Sequence, residues 1–372
     1  MPKVRISAAR FGSLLTNRHL TPADVAERVK TDVSLDDLAG SDLDVELTDV
    51  VALAKVFKRP WSYLLIDEPE EFPSAGSDNR TFDNQKTALS PDLLTELQAA
   101  DRMLQTAEEL LPGSTYRVPA VAAGGSTSAS QLAALTRTFL GVSVDDQLAV
   151  KDEFAALRVW VAAIHATGVY VAQRRLRDDT IRAFSKAVGD QAVIVVDTGD
   201  TAYARIFSAL HEYCHVTLRS TGICDLDDHS AVERYCNAVA AGVLLPDELL
   251  DRVTGMQDFA DGRESADEAL KSLSRQLHVS QAALLIRLRD HGTITQDVYE
   301  AMELRRAARR GGGKKPGGTY YAPAINKVGR LYAHRVVDAL TEGAIDRQDA
   351  SALLGVGEHL MPTYLAELAK GD

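Results

Sequence analysis

The apolar residues of this chain change their spacing in its middle third, and that change limits the folds open to it. Up to Thr167 they recur every three or four residues, the spacing of amphipathic helices. Three β-rich runs follow, at 168–172, 181–184 and 192–196, each bounded by Asp or Gly. Helical spacing then returns from Thr201 and continues through the C-terminal region. We therefore predict a mainly α, α+β fold with a small β-sheet set among helices.

The chain is long enough to need more than one folding unit. Its 372 residues exceed the size at which single cores usually stop growing. An acidic, turn-rich stretch that contains Asp, Glu, Pro and Ser follows the first helices, and such a composition is typical of a linker. We predict an N-terminal helical unit at 1–66, a linker at 67–89, a central domain at 90–260 and a helical region at 261–372.

The first unit contains short helices with recognisable ends. Thr21-Pro22 predicts a helix start, with Thr as the N-cap and Pro at the first helical position. A further helix is expected to open at Ser34, followed by a polar turn around Asp42–Asp44 and an apolar-periodic helix from Leu47. Five short helices in this order resemble the helix-turn-helix module of phage-repressor-like regulators.

The charges of this unit argue against DNA reading. In a helix-turn-helix the second helix enters the major groove and needs Arg, Lys, Asn or Gln facing the bases. That helix is expected near Ser34–Ser41, and the stretch 31–50 contains no Lys or Arg. Its acidic residues are Asp32, Asp36, Asp37, Asp42, Asp44, Glu46 and Asp49. Such a surface repels phosphates, so a protein-binding or dimerising role stays open beside DNA binding.

Charge and cysteine content bound the cellular setting. A net charge of −12 argues against a broad nucleic-acid or anionic-membrane surface. No apolar run is long enough for a membrane span, and the N-terminus lacks the apolar segment of a signal peptide. Three cysteines, Cys214, Cys224 and Cys236, fit a reducing compartment better than a disulfide scaffold. We expect a cytoplasmic protein with buried structural thiols, and a redox role is the alternative.

The residues His211-Glu212-Tyr213-Cys214-His215 form the pattern H-E-x-x-H within a predicted helix. Because residues four apart stack on one helical face, His211 and His215 can point at a single metal ion. Glu212 lies about 100° around the helix, beside the ion, where its carboxylate can take a proton from a bound water. The alternative, two solvated surface histidines, fits poorly with the many apolar residues of this helix.

A catalytic zinc site takes three protein ligands and leaves one position for water. After the loop 219–229 a helix is expected, with Glu233 and Asn237 four residues apart on one face. Glu233 would complete a site of two histidines and one glutamate with Zn²⁺ as the cofactor, and manganese stays open. Asn237 is predicted to accept a hydrogen bond from the second nitrogen of one histidine. His229 is either an oxyanion stabiliser or an ordinary loop histidine.

Two blocks of the sequence carry a family resemblance. The residues 206–215 and the later segment 233–246, which reads Glu-x-x-Cys-Asn and ends in Leu-Leu-Pro, look like the ImmA/IrrE family of metallopeptidases. The order of repressor-like helices, acidic linker, Ser90-Pro91 helix, small sheet and metal helix resembles longer members that carry an N-terminal helix-turn-helix. The C-terminal segment 320–368 is similar to the tails of those members.

The resemblance implies a zincin-like peptidase core with a metal site of the gluzincin type. By that resemblance His211, His215 and Glu233 are metal ligands and Glu212 is the catalytic base. It also implies that the substrate is a protein, either a transcriptional repressor or an antitoxin-like partner. The setting would then be a stress response, a mobile element or a toxin–antitoxin system.

Two other functions remain open at the level of sequence. One is a transcriptional regulator whose metal site is structural or sensory, and the other is a toxin-like interaction module held by a partner. The intact Glu212 argues against the first, because a structural metal site has no use for a base beside the ion. Self-association is left open, and no membrane partner is expected.

Overall fold

The structure of the chain is a computed structural model. It describes residues 3–17, 20–29, 31, 33–57, 61–68, 90–110, 115–120, 127–178, 181–219, 222–225, 231–251, 264–308 and 321–370. The chain divides into two compact units, Met1–Thr95 and Glu96–Asp372. The linker predicted at 67–89 lies outside the described residues except for Asp67 and Glu68.

The N-terminal unit combines short helices with a two-stranded sheet. In chain order it contains β1 (Lys3–Ile6), α1 (Ala8–Asn17), α2 (Pro22–Arg28), α3 (Leu35–Gly40), β2 (Leu43–Glu46), α4 (Leu47–Val56) and a 3₁₀ helix (Trp61–Leu65). Apolar side chains from these elements form one core, in which the rings of Phe11 and Phe57 meet edge to face at 5.8 Å. The predicted helical character of this unit is confirmed.

Side chains at the helix starts explain where α2 and α3 begin. The Thr21 hydroxyl accepts a hydrogen bond from the backbone nitrogen of Asp24, and the Asp24 carboxylate accepts one from the backbone of Thr21. This reciprocal pair satisfies two donors that a helix start leaves unpaired. The Ser34 side chain likewise accepts from the backbone nitrogen of Asp37. Both predicted N-caps are confirmed.

The polar turn predicted at Asp42–Asp44 is wrong in part, because Leu43 begins β2. This strand pairs antiparallel with β1, and the register sets Lys3 opposite Glu46 and Arg5 opposite Asp44. Oppositely charged residues that face each other across two strands stabilise the pairing. The acidic residues indicated a turn because the sequence around them contains no basic partner. The basic residues that pair with them lie about forty positions earlier in the chain.

The second unit contains the predicted mixture of helices and strands. Helix α5 (Pro91–Leu110) contributes its residues from Glu96 onward. The later elements are α6 (Ala129–Leu140), α7 (Val144–Leu148), α8 (Glu153–Ala166), β3 (Tyr170–Arg174), β4 (Ile181–Val188), β5 (Gln191–Asp197), α9 (Ala202–Thr217), β6 (Gly222–Asp225), α10 (Ala231–Leu244), α11 (Asp247–Asp251), α12 (Glu264–Gln276), α13 (Gln281–Asp290), α14 (Gln296–Ala308), α15 (Tyr321–Val328), α16 (Arg330–Thr341), α17 (Arg347–Leu354), a 3₁₀ helix (Glu358–Leu360) and α18 (Met361–Ala369).

Among the described residues, four strands of this unit form one mixed sheet in the order β3-β5-β4-β6. Strands β3 and β5 run parallel, whereas β4 is antiparallel to both of its neighbours. A tight turn at Gly189, which adopts a φ of 54°, joins β4 to β5. The prediction of a loop throughout 219–229 is wrong for Gly222–Asp225, which pair with β4.

The core of the second unit lies between this sheet and helices α8, α9 and α10. Every residue of β5 is buried, as expected for a strand covered on both faces. Trp160 on α8 is 1% exposed and belongs to this core, as its apolar surroundings in the sequence predict. Trp61 in the N-terminal unit also has apolar neighbours in the sequence, which predict burial, but Leu64 fills the core there and Trp61 is 45% exposed.

The C-terminal helices pack against the edge of this sheet. Helices α15 and α16 contact β3, and the rings of Tyr170 and Tyr332 meet edge to face at 5.9 Å. Gly329, between the two helices, has a φ of 84° and lies so close to Val171 that a Cβ atom would clash with the Val171 carbonyl oxygen. Among the described helices, none combines the length and apolarity that crossing a bilayer requires.

Candidate metal centre

Helix α9 carries the H-E-x-x-H residues and is fixed by contacts on several sides. The Thr201 side chain caps its start by accepting a hydrogen bond from the backbone nitrogen of Ala204. Arg205 donates to Gln173 Oε1 on β3 at 2.8 Å. The helix packs on β4, β5, α8 and α10, and every residue from 209 to 217 is buried. The side chains of the motif therefore have little freedom to turn elsewhere.

His211 and His215 lie one turn apart and face the same point. They are 7% and 4% exposed, respectively. Their ring centroids are 4.9 Å apart, and their Nε2 atoms are separated by 3.2 Å. This is the stacking that a spacing of four residues produces on a helix.

Glu233 on α10 faces this pair of imidazoles. Its Oε2 lies 3.0 Å from His211 Nε2, and its Oε1 lies 3.1 Å from His215 Nε2. The carboxylate thus bridges the two rings, and Glu233 itself is only 9% exposed. The structure brings together the three side chains that the sequence singled out as ligands.

The C-terminal end of α10 is held by side chains from neighbouring helices. Arg137 donates to the carbonyl oxygen of Val243 at 2.6 Å and to Gln147 Oε1 at 3.0 Å. Gln147 in turn donates to the carbonyl oxygens of Leu244 and Leu277. These bonds satisfy carbonyls that a helix end leaves unpaired, and they fix the helix from which Glu233 extends.

The three side chains fit a divalent metal ion. One donor atom from each lies within 4.8 Å of the others. For a four-coordinate ion with bonds of about 2.0–2.2 Å, ligand atoms would be about 3.3–3.6 Å apart. The distances of 3.0, 3.1 and 3.2 Å are only slightly shorter, and two imidazoles with a carboxylate are a typical ligand set for such an ion.

The contacts within this group shift the pKa of two of its members. Burial alone would raise the pKa of Glu233, but hydrogen bonds from His211 and His215 outweigh it and lower the pKa to about 2. Burial alone would lower the pKa of His215, but contacts with the Cys236 thiol and the Glu233 carboxylate raise it to about 10. Without a metal ion, the group is therefore held together as an ion pair.

Glu212 belongs to the same helical turn but not to the ligand group. It is 1% exposed, and its Oε2 accepts a hydrogen bond from the Ser185 hydroxyl on β4 at 2.7 Å. Ser185 is itself 1% exposed. The carboxylate of Glu212 is thus held beside the two histidines by the sheet rather than by α10.

The structure gives no support to the predicted role of Asn237. Among the described residues no hydrogen bond joins Asn237 to either histidine, and the thiol in contact with His215 belongs to Cys236. Cys236 and Cys214 are both buried and free, and the contact between them, together with burial, raises the pKa of the Cys236 thiol above its usual range. A thiol in such surroundings is unreactive, which favours the structural role over the redox alternative.

Two further residues of the predicted site cannot be placed. His229 lies outside the described residues, as does the side chain of Cys224 on β6. Sequence reasoning, in turn, missed Ser185, because the predicted strand ended at Phe184. The signal in the sequence that could have identified Ser185 is a polar residue directly after an apolar run.

Helix α3 of the N-terminal unit carries exposed acidic side chains. Helix α3 occupies the position predicted for the DNA-reading helix, and it buries Leu35 and Leu38 while exposing Asp36 and Asp37. These carboxylates present negative charge where a DNA-reading helix presents basic or amide groups.

Comparison with known proteins shows that the segment holding the three candidate ligands is similar to a peptidase domain. No curated protein and no solved structure matched the chain. Residues 164–289, about one third of the chain, match the family model Peptidase_M78, described as the IrrE N-terminal-like domain. The matched segment includes β3 to β6, α9 and α10, and therefore all three side chains of the metal-binding group. The N-terminal unit lies outside the match. In this segment the chain is thus similar to metal-dependent peptidases of the IrrE type, and a metallopeptidase-like function is supported.

Proposed function

We propose that this chain is a zinc-dependent metallopeptidase that hydrolyses a peptide bond in a protein partner. The observation that carries the proposal is the separation of roles around α9. His211, His215 and Glu233 converge on one point, whereas Glu212 stands beside that point with a different partner. Among the described residues the group holds three ligands and not four, which leaves a position for water. A structural metal site needs neither the open position nor the adjacent base.

Zinc is the metal that this ligand set favours. Imidazole nitrogens suit zinc, whereas magnesium, calcium and manganese prefer carboxylate, carbonyl and water oxygens. Two of the three donors are imidazoles. The low exposure of all three side chains also keeps bulk water from the site. Zinc is therefore the proposed cofactor, with His211, His215 and Glu233 as its ligands.

The residues of the site divide the chemistry between them. When bound, zinc lowers the pKa of a coordinated water to about 7 and polarises the scissile carbonyl. Glu212 takes a proton from the attacking water and then passes it to the leaving amine. Its burial keeps the carboxylate away from bulk solvent, so that the proton stays within the site.

The proposed substrate is a transcriptional repressor or an antitoxin-like partner. The support for it is the match of residues 164–289 to the IrrE N-terminal-like domain, together with the resemblance of the chain to peptidases that cleave repressors. The setting proposed is a stress response, a mobile element or a toxin–antitoxin system in the cytoplasm. We propose in addition that the acidic N-terminal unit contacts protein rather than DNA, because α3 exposes carboxylates.

The proposal is tested with the zinc-loaded full chain and its Glu212→Gln variant. The substrates are a repressor encoded beside the gene and a peptide library, and new termini are read by mass spectrometry. We expect the wild-type chain to cleave, and the variant to retain zinc while its rate falls about 10²–10⁴-fold. Glu358→Gln, at an exposed position, serves as the matched control and should cleave normally. Equal rates for wild-type and Glu212→Gln chains, or no cleavage of either substrate by the wild-type chain, would contradict the proposal.

A further inference from the structure

The geometry points to Ser185 as the residue that positions the catalytic base, an inference that rests on the proposed function of Glu212. The Ser185 hydroxyl donates to Glu212 Oε2 at 2.7 Å. Among the described residues, Ser185 is the hydrogen-bond partner of the Glu212 carboxylate, and no described group donates a hydrogen bond to Oε1. One oxygen is thus anchored and the other is left for proton transfer.

The backbone of Ser185 is held on both sides. In the sheet register Ser185 stands opposite Ile194 on β5 and opposite Gly222 on β6. A residue between two strands cannot shift without breaking both ladders. The Cα atom from which the hydroxyl extends is therefore fixed in position. Strand β4 also packs directly on α9, the helix that carries Glu212. A group held in this way orients its partner before the substrate arrives.

The chemistry of a serine suits this task. A buried carboxylate needs a donor, and a lysine or arginine in this place would neutralise it with a full charge. A hydroxyl donates one hydrogen bond without bringing a charge. The two residues are each 1% exposed, so water does not compete for the bond. Ser185 thus restricts the rotation of the Glu212 carboxylate without neutralising its charge, so that the carboxylate can still act as a base.

Ser185 contacts the base and none of the three metal ligands. Its hydroxyl bonds to Glu212 and not to His211, His215 or Glu233. Removing the hydroxyl should therefore leave zinc affinity unchanged and affect only steps that need an oriented Glu212. A residue with a merely structural role would instead change zinc affinity, folding and activity together.

The test compares Ser185→Ala, Ser185→Thr and Thr217→Val with the wild-type full chain. Thr217 is a buried residue of α9 whose hydroxyl bonds to the Tyr213 carbonyl oxygen, so its variant controls for the loss of any buried hydroxyl near the site. For each chain we would measure zinc affinity, melting temperature, kcat and KM. The affinity for acetohydroxamic acid is measured as well, because this chelator gives a proton to the adjacent base when it binds zinc.

For Ser185→Ala we expect unchanged zinc affinity and KM, with kcat and acetohydroxamic acid affinity each lowered about 10- to 100-fold. Ser185→Thr, which keeps the hydroxyl, should have a kcat and an acetohydroxamic acid affinity close to those of the wild type. Thr217→Val should match the wild type in both. Wild-type kcat and chelator affinity in Ser185→Ala would overturn the inference, as would a loss of zinc. The chelator measurement needs no substrate, so failure of the proposed hydrolysis and failure of the role of Ser185 give different results.

Discussion

Glu233 Oε2 lies 3.0 Å from His211 Nε2, although the two residues are 22 positions apart and belong to different helices. The contact exists because α10 packs along α9 and because Arg137 and Gln147 hold the far end of α10. A carboxylate in this place completes a site that α9 alone would leave with two ligands.

Replacing Glu233 by Gln should abolish tight zinc binding. The substitution keeps the shape of the side chain but removes the charge that faces both imidazoles. Losing an outer-shell partner typically costs 10–100-fold in metal affinity, so losing a ligand should cost at least about 100-fold. Competition with a chromophoric chelator measures the affinity, and Glu358→Gln is the control. An affinity within threefold of the wild type would show that Glu233 is not a ligand.

Zinc binding should release a proton at neutral pH. Because the pKa of His215 is raised from 6.5 to about 10, its contribution to stability is complete below pH 6.5 and is lost as pH rises through about 10. Because the pKa of Glu233 is lowered from 4.5 to about 2, its contribution is complete above pH 4.5 and is lost as pH falls through about 2. Both contributions to stability are therefore complete between about pH 4.5 and 6.5, and His215 in the folded, metal-free chain stays protonated until pH approaches about 10.

At pH 7.5 zinc must displace the proton of His215, so its affinity should increase as pH rises. Calorimetric titration in two buffers of different ionisation enthalpy measures the release, which should be about one proton for each zinc. His359→Gln, at an exposed position, should release the same number. A binding heat that does not depend on the buffer would contradict the assigned charge state.

Replacing Arg137 by Met should destabilise the second unit without removing a metal ligand. The buried guanidinium donates to Gln147 and to the carbonyl oxygen of Val243, and both acceptors would lose their donor. We expect the free energy of unfolding to fall by about 2–3 kcal/mol, measured by urea denaturation. Arg158→Met, on an exposed part of α8, should change it by less than about 0.5 kcal/mol. Equal effects of the two substitutions would show that the anchoring of α10 is unimportant.

Replacing Gly329 by Ala should lower the free energy of unfolding more than replacing Gly343 by Ala. Both glycines have positive φ values, 84° and 73°, so both substitutions carry a backbone cost of about 1–2 kcal/mol. Only at Gly329 would the new Cβ meet the Val171 carbonyl oxygen, whereas Gly343 faces open space. Overpacking should add about 1–3 kcal/mol at Gly329. Matching losses in thermal denaturation would mean that α15 and α16 do not pack tightly on β3.

Local periodicity explains how far the site could be predicted from the sequence. The pairing of His211 with His215 follows from helical geometry alone, and the register of Glu233 follows once a second helix is placed beside the first. The rotation of α10 about its own axis does not follow, since it depends on the packing of both helices. For that reason Asn237 was expected to contact one of the two histidines, whereas the residue of α10 beside Asn237 that contacts His215 is Cys236.

Pairings between distant strands set the other limit. Strands β1 and β2 are four residues long, and each carries acidic or basic residues that also suit a turn. Strand β6 is equally short, and its partner β4 lies more than thirty residues earlier. Ser185 was missed for a similar reason, because its bond to Glu212 joins a strand to a helix 27 positions away. Contacts between residues so far apart in the chain leave no periodic pattern in the local sequence.

The central claim is that one zinc ion is held by His211, His215 and Glu233, and anomalous diffraction at the zinc edge tests it most directly. Crystals of the zinc-loaded full chain should show one strong anomalous peak about 2.0–2.2 Å from both Nε2 atoms and from the Glu233 carboxylate, with a fourth position open to solvent. A peak at other residues, or a fourth protein ligand in the open position, would contradict the account.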